Sequence, residues 1–131
     1  MLAVIGQTGS GKSTLLQMIN KLIVPQSGKV YLYETDVQSV RNIKEIRRRI
    51  GYVFQFPESQ LFESTVLKDV MYGPINFGMS KSDAEQSARN ALKLVGVPEK
   101  YEDYSPFELS GGLKKRVAIA GILAYEPDIL I

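Results

Sequence analysis

Residues 6–14 read Gly-Gln-Thr-Gly-Ser-Gly-Lys-Ser-Thr, and this stretch is the strongest indication of the fold. It contains the complete P-loop pattern Gly-x-x-x-x-Gly-Lys-Ser. The glycines allow the backbone to curl so that successive N–H groups point toward phosphate oxygens. Lys12 is placed to reach the β- and γ-phosphates of a nucleotide, and the Ser13 hydroxyl to bind Mg²⁺. The predicted phosphate-binding residues are Gly6, Gln7, Thr8, Gly9, Ser10, Gly11, Lys12, Ser13 and Thr14.

The residues on either side of this loop match the context that a P-loop requires. Leu2–Ile5 is a continuous apolar run, which predicts a buried strand of a parallel sheet. Apolar residues at helical spacing from Leu15 to Ile23 predict a helix that ends before Pro25. The alternative is a glycine-rich turn before an ordinary helix, and the order strand, loop, helix favours phosphate binding.

The rest of the chain alternates short strands with helices. The predicted strands are Lys29–Tyr33, Ile50–Phe54 and one that begins at Asp128 and runs to Ile131. The predicted helices begin at Ile43, after Thr65 with an interruption at Gly73-Pro74, after the capping residue Ser80, and after Ser110.

Composition removes several kinds of chemistry. The 131 residues carry 16 Lys+Arg and 14 Asp+Glu, and His and Cys are both absent. A disulfide, a Cys/His zinc site and a His or Cys catalytic group are therefore excluded. Reactions must use carboxylates, hydroxyls, Lys or Arg, backbone amides or a bound metal. The near-neutral charge gives no global argument for nucleic-acid binding.

A second helix start also has the features of an anion site. In Leu109-Ser110-Gly111-Gly112, Ser110 is a suitable N-cap and the two glycines leave the first-turn amides accessible. One nucleotide scarcely needs two such helix ends from one chain, so a reciprocal use between two chains is economical. The alternative is an ordinary capped helix with a flexible start.

Together the two motifs resemble the ATPase domain of ATP-binding cassette (ABC) proteins. Gly6–Ser13 is similar to its Walker A loop, and Leu109–Gly112 to its signature sequence, which contacts the γ-phosphate across a head-to-tail dimer. Gln55 matches the Q-loop glutamine, which the resemblance implies contacts Mg²⁺ and the attacking water. The implied fold is an α/β P-loop NTPase with a three-layer core and a helical subdomain. We expect residues 1–56 and 117–131 to form the core, and residues 57–116 the helical subdomain.

Three segments are similar to the ATPases of energy-coupling factor (ECF) transporters: Phe54–Val66, Asp69–Pro74 and Pro106–Gly112. This resemblance implies ATP-driven import of a vitamin or transition-metal ion, with ATP and Mg²⁺ bound. The implied partners are a second ABC ATPase subunit, an integral membrane transporter subunit and a substrate-binding membrane protein, at the cytoplasmic face of the membrane. No nucleic acid is expected. Phe56, Leu61 and Phe62 would form either a docking surface or helical-subdomain core.

The chain departs from the family pattern in two ways. Leu113 stands where the signature usually continues with Gln, and a Leu side chain cannot hydrogen-bond a partner's nucleotide. The half of the shared nucleotide site that this signature provides is therefore expected to be weakened or asymmetric. The catalytic Asp and Glu of the family would follow Ile131, so we expect a partial domain that turns over ATP negligibly by itself. The adenine-stacking aromatic residue that normally precedes the P-loop strand is likewise missing.

Two other functions remain open. A basic run could contact nucleic acid in a non-transport ABC ATPase, or could simply be a solvated helix face; it comprises Arg41, Lys44, Arg47, Arg48 and Arg49. A nucleotide-binding chain without catalysis is the third possibility.

Overall fold

The computed structural model describes residues 1–131 and contains five α-helices and four short strands. The helices are α1 (Lys12–Ile19), α2 (Ile43–Arg49), α3 (Val66–Asn76), α4 (Lys81–Leu94) and α5 (Gly111–Leu123). The strands are β1 (Tyr31–Leu32), β2 (Thr35–Asp36), β3 (Ile50–Gly51) and β4 (Ile129–Leu130). Single turns of 3₁₀ helix cover Pro57–Gln60, Glu99–Tyr101 and Pro106–Glu108. None of the helices is long and apolar enough to cross a lipid bilayer.

Helices α3, α4 and α5 pack together around the larger of two hydrophobic clusters, here called the helical cluster. The side chains of Thr65, Ser80 and Ser110 cap these helices, each by accepting a hydrogen bond from the N–H three residues later. The caps predicted at Ser80 and Ser110 are therefore confirmed. The buried residues of the helical cluster are Leu61, Val66, Val70, Met71, Ala84, Ala88, Ala91, Leu92, Val97, Leu109, Val117, Ala120 and Ala124.

The predicted interruption of α3 at Gly73-Pro74 is wrong, because the helix continues to Asn76. Pro74 lacks an N–H, but it lies in the last turn and is fully buried. The Phe77 N–H still closes the turn on the Gly73 carbonyl at 3.0 Å. Packing of the buried face against α4 and α5 therefore outweighs the one lost backbone hydrogen bond.

The smaller hydrophobic cluster, here called the α/β cluster, consists of Leu32, Val37, Ile46 and Ile50. It lies beneath the antiparallel β1–β2 hairpin and α2, a helix whose predicted existence is confirmed. The remaining two strands, β3 and β4, pair in parallel with Ile50 opposite Ile129. The ladder continues past both strands, since the Val53 N–H donates to the Ile131 carbonyl at 2.7 Å.

Several strands are shorter than the apolar runs indicate. Strand β3 covers only the first two residues of the predicted Ile50–Phe54. The predicted third strand is β4, but Ile129 and Leu130 are exposed rather than buried. The predicted strand at Leu2–Ile5 is wrong, because these residues are exposed and in no strand. An apolar run becomes a strand only when a neighbouring backbone pairs with it, and no strand lies beside this one.

Helix α1 also ends earlier than predicted, at Ile19 rather than near Ile23. Lys21 adopts a left-handed backbone with φ of 51°, which stops the helix. The Lys21 ammonium then donates to the carbonyls of Gln38 and Val40, at 3.2 and 2.7 Å. This tertiary anchor joins the end of α1 to the segment before α2.

Candidate functional site

The loop before α1 is shaped by its glycines. Gly9 and Gly11 have φ of 84° and 87°, a left-handed conformation that a side chain would strain. Between them, the Ser10 N–H donates to the Gln7 carbonyl at 3.2 Å and closes the turn. The sequence therefore places glycine where the curled backbone requires it.

The first turn of α1 remains open to a ligand. Its N-cap is Gly11, no side chain caps the helix, and no acidic residue lies in the first turn. The first N–H groups of a helix have no intrahelical acceptor, and the helix dipole makes this end positive. Lys12, Ser13 and Thr14 thus present their amides to an anion.

The Lys12 ammonium lies across the P-loop. It donates to the carbonyls of Gly6 and Gln7, at 2.8 and 2.6 Å, and to the Ser10 hydroxyl at 3.3 Å. These acceptors are exposed, so a phosphate oxygen can replace them without stranding a buried group. The lysine is therefore held in the loop by neutral acceptors that an anion can displace.

One cleft of about 750 Å³ brings most of the predicted site together. It is lined by residues of the P-loop and α1, by the segment Tyr52–Gln55 and by Ile131. Gln55, which is 41 residues after Thr14 in sequence, therefore faces the same space as Lys12 and Ser13. The predicted residues that line the cleft are Thr8, Gly9, Gly11, Lys12, Ser13, Thr14 and Gln55. The other P-loop residues, Gly6, Gln7 and Ser10, contact the Lys12 ammonium instead.

Two of the cleft residues are suited to Mg²⁺. Ser13 supplies a hydroxyl and Gln55 an amide oxygen, and Mg²⁺ prefers oxygen ligands. Both are neutral, and the chain has no cluster of three acidic side chains that would hold a metal. The donor set therefore fits an ion that is held partly by substrate phosphates.

The second predicted anion site is separate from this cleft. Ser110, Gly111 and Gly112 are exposed at the start of α5 and do not line the cleft. A Cβ added to either glycine would meet nothing within 4 Å, so this helix end is open to an approaching partner. The two predicted phosphate-binding helix ends therefore do not share one cleft.

Leu113 is half-buried and packs against the helical cluster. Its N–H donates to the Ser110 hydroxyl, so it completes the cap although its side chain offers no hydrogen bond. The expected weakening of this half-site stays a prediction.

The three residues predicted to dock or to form core behave differently from one another. Leu61 is buried in the helical cluster, whereas Phe56 and Phe62 are 61% and 56% exposed. Phe62 contacts Tyr72 edge-to-face at 4.8 Å between ring centres. The Asp69 carboxylate accepts from the N–H groups of Phe62 and Glu63, at 2.9 and 2.8 Å, and so holds this loop. Sequence reasoning missed Asp69 and Tyr72, although an acid in the first turn of a helix is a signal for such a contact.

The basic run is partly used inside the fold. Lys44 donates to the Asn76 side chain at 3.1 Å, and Arg49 pairs with Asp128 at 2.8 Å. The Arg49 guanidinium also lies over the Tyr33 ring, and the hydrogen bond to Asp128 raises the pKa of Arg49. These contacts join α2 to the end of α3 and to the start of β4.

The whole chain matches one known protein family. A family profile described as ABC transporter matches residues 1–131, the whole sequence. The chain belongs to the ABC transporter family.

One relative of this chain is the energy-coupling factor transporter ATP-binding protein EcfA2 of Bacillus subtilis. The two are 57% identical over 98% of this chain and 48% of the relative. The protein of the same name from Streptococcus pneumoniae is also 57% identical, over 98% and 47%. The chain therefore spans about half the length of the curated relatives it matches.

Solved structures confirm the ABC ATPase fold, an α/β P-loop NTPase. One is cbiO1 from Clostridium perfringens, part of the ABC transporter complex cbiONQ. It has a TM-score of 0.82 and 40% identity over 96% of this chain and 50% of that one. A dimeric ATP-binding cassette in a post-hydrolysis state bound to ADP and Pi has a TM-score of 0.81. It is 34% identical over 95% of this ABC transporter chain and 56% of that one.

Proposed function

We propose that this chain is the nucleotide-binding part of an ABC ATPase that hydrolyses ATP to drive solute import by an ECF-type transporter. The observation that carries the proposal is the cleft in which Lys12, Ser13 and Gln55 meet beside the open first turn of α1. The family profile and the names of the EcfA2 relatives support it.

Each P-loop group would act mainly by position and charge. The amides of Lys12, Ser13 and Thr14 bind phosphate oxygens at the positive end of α1. The Lys12 ammonium leaves the Gly6 and Gln7 carbonyls for the β- and γ-phosphates, because a charged acceptor binds it more strongly than a neutral one. Phosphoryl transfer depends on such orientation and charge neutralisation more than on covalent steps.

Ser13 and Gln55 are the residues that would hold Mg²⁺. When bound, the ion would neutralise charge on the phosphates and help to order the attacking water. Gln55 lines the same cleft as the P-loop, and its amide would orient a water that approaches the terminal phosphate.

Hydrolysis would require a second ATPase subunit in head-to-tail contact. Ser110, Gly111 and Gly112 are accessible but lie outside their own chain's cleft, so they are free to bind the γ-phosphate held by a partner. The γ-phosphate would then join the two chains, and its loss would release them. The dimeric cassette among the structural neighbours supports this arrangement.

Coupling to membrane subunits would use the surface formed by Phe56, Phe62 and Tyr72. These aromatic side chains are all at least half exposed; Phe56 follows Gln55 directly, and Phe62 contacts Tyr72 on α3. Exposed aromatic side chains are enriched at protein interfaces. The proposed site of action is the cytoplasmic face of the membrane, and the proposed cargo is a vitamin or a transition-metal ion.

The domain division is proposed in the same terms. Residues 1–56 and 117–131 would form the nucleotide-binding core and residues 57–116 the helical subdomain. Two separate hydrophobic clusters support two packing units. Helix α5 crosses the proposed boundary and packs into the helical cluster through Val117 and Ala120.

Nucleotide binding and hydrolysis by the full-length protein test this function. We expect Mg²⁺-ATP to bind, and Lys12→Ala to weaken binding by about 100-fold, the loss expected for removal of a charged phosphate contact worth about 3 kcal/mol. Lys29→Ala, which removes an exposed lysine paired with Asp36 at 3.7 Å, is the matched control. Equal nucleotide affinity in the Lys12→Ala variant would refute the proposal.

A further inference from the structure

Glu102 is the only carboxylate buried in the chain, with 8% of its surface exposed. Its partner is the guanidinium of Arg89 on α4, which donates to Glu102 Oε2. A second nitrogen of the same guanidinium donates to Glu85 Oε1 at 3.1 Å, one turn earlier on α4. The two guanidinium nitrogens of Arg89 therefore bind one half-buried and one buried carboxylate.

The backbone around Glu102 is part of a second set of contacts. The Glu102 carbonyl accepts from the Leu67 N–H at 2.9 Å, and the Tyr104 carbonyl accepts from the Val66 N–H at 2.9 Å. These are the first amides of α3, which have no acceptor within their own helix. The segment that carries Glu102 thus joins the side of α4 to the start of α3.

The same segment leads directly to the signature loop, defined here as Leu109–Gly112. Pro106 and Leu109 are buried, and Ser105 caps the 3₁₀ turn Pro106–Glu108 by accepting from the Phe107 N–H. Among residues 96–113, Glu102 is the only one that forms an ion pair, and its partner is Arg89 on α4. The position of Ser110 relative to α3 and α4 therefore depends on a short segment with one charged anchor.

The chemistry of burial explains why this anchor has a strong effect. Burial raises the pKa of Glu102, and the Arg89 charge opposes that rise. If the Glu102 charge is lost, Arg89 keeps only Glu85 as an acidic partner, and the segment that carries residue 102 loses its ion pair to α4. The Glu85 side chain is 43% exposed, so its ion pair with Arg89 is screened by solvent and contributes less.

We propose that Arg89 and Glu102 are positioning residues for the signature loop, holding it at the place where a partner's nucleotide is bound. The pair acts through the segment 102–109 and touches neither nucleotide nor metal. This inference rests on the proposed function, since it assumes that Ser110–Gly112 serves an ATP molecule bound by a second subunit.

Spin-label distances and dimerisation of the full-length protein test the proposal together. The 131 residues contain no cysteine, so any cysteine elsewhere in the full-length protein is replaced first. Cysteines that carry the spin labels are then introduced at two exposed positions, Gln86 on α4 and Glu108 beside the signature loop. Glu102→Gln keeps the shape of the side chain and removes its charge. We expect it to broaden the distance distribution and to weaken ATP-driven dimerisation about 10-fold, while ATP affinity at its own P-loop stays within about twofold.

Two further variants separate positioning from general damage to the fold. Glu85→Gln removes the half-buried partner of Arg89 and is expected to leave both distances and dimerisation unchanged. Glu102→Asp keeps the charge and is expected to restore the narrow distribution. Thermal unfolding curves establish that each variant is folded before it is compared.

A distance distribution in Glu102→Gln as narrow as that of the unsubstituted protein would overturn the proposal. A broadened distribution with unaltered dimerisation would overturn it as well. An equal effect of Glu85→Gln would overturn it too. If instead the unsubstituted protein binds no ATP, or Lys12→Ala binds it equally well, the failure belongs to the proposed function.

Discussion

Gly51 occupies a place in β3 that has no room for a side chain. A Cβ at this position would lie 2.7 Å from Ile122 Cγ2, 2.9 Å from Pro127 Cγ and 3.1 Å from Leu130 Cδ1. The close approach packs α5 and the start of β4 against β3, directly before the segment Tyr52–Gln55 that lines the cleft.

We predict that Gly51→Ala lowers the free energy of unfolding by about 1–3 kcal/mol, because an extra methyl group must displace packed neighbours. Urea unfolding measures the change. Gly121→Ala is the control, since its Cβ would only reach Val70 Cα at 3.9 Å and alanine favours a helix. Equal destabilisation by the two substitutions would contradict the prediction.

Tyr125 lies between the end of α5 and α3, with its ring edge-to-face against Phe77 at 4.9 Å between ring centres. Burial raises its pKa to about 12. The folded chain therefore holds this proton more tightly than the unfolded chain, in which tyrosine titrates at about pH 10. The resulting stabilisation is present below about pH 10 and is lost as pH rises toward 12.

We predict that Tyr125→Phe reduces the loss of stability between about pH 9 and pH 11, because the ionisable hydroxyl is gone. Urea unfolding at the two pH values measures the difference in the free energy of unfolding. Tyr31→Phe, at a site where the side chain is 58% exposed, is the control. An unchanged pH dependence in Tyr125→Phe would show that another group causes the alkaline loss.

Helix α3 is held at its start by side chains and backbone groups from three directions. Thr65 caps it, the segment around Glu102 accepts from its first amides, and Asp69 reaches back to the loop before it. The Asp69 contacts keep Phe62 against Tyr72 and thereby shape the proposed docking surface.

We predict that Asp69→Ala costs about 1–3 kcal/mol of stability, because two backbone N–H groups lose a charged acceptor. Asp69→Asn keeps one acceptor oxygen without the charge and is expected to cost less. Chemical denaturation of the two variants gives the comparison, and a loss from Asn as large as that from Ala would exclude the carboxylate as the source.

The two hydrophobic clusters divide the molecule unequally. The helical cluster has 13 buried residues and the α/β cluster has four, while α1 has none. A contact between the two parts is the hydrogen bond from Lys44 on α2 to the Asn76 side chain at the end of α3. Regions with few buried contacts open locally at low free energy.

We predict that backbone amides in α4 and α5 exchange with solvent most slowly, and that those in α1 exchange fastest among the helices. A bound ATP analogue is expected to protect the first turn of α1 and residues 52–55 selectively. Hydrogen exchange followed by mass spectrometry detects both effects. Protection confined to the helical cluster would place the ligand away from the P-loop.

Features that depend on neighbours in sequence were predicted well. The curled P-loop needs glycine at Gly9 and Gly11, and the Ser80 and Ser110 caps are made to the backbone three residues later. Helix α2 likewise begins at the predicted Ile43. Each of these is a local event that the residue order specifies directly.

Features that depend on residues far apart in the chain were predicted poorly. Leu2–Ile5 has the composition of a buried strand but no neighbouring strand, and Pro74 stays within a helix because α4 and α5 cover it. Exposure of Phe62 and burial of Leu61, one residue earlier, also depend on where α3 packs.

For this ABC transporter chain, the sequence by itself determined the loop that can hold phosphate, the two open helix starts and the α/β class. The reason is that glycine conformation and helix capping act over a few residues. Only the tertiary structure decided that Gln55 shares a cleft with Lys12 while Ser110 does not, and that Arg89 reaches Glu102. Those juxtapositions arise from the pairing of β3 with β4 and the packing of α3, α4 and α5, which join residues far apart in the chain.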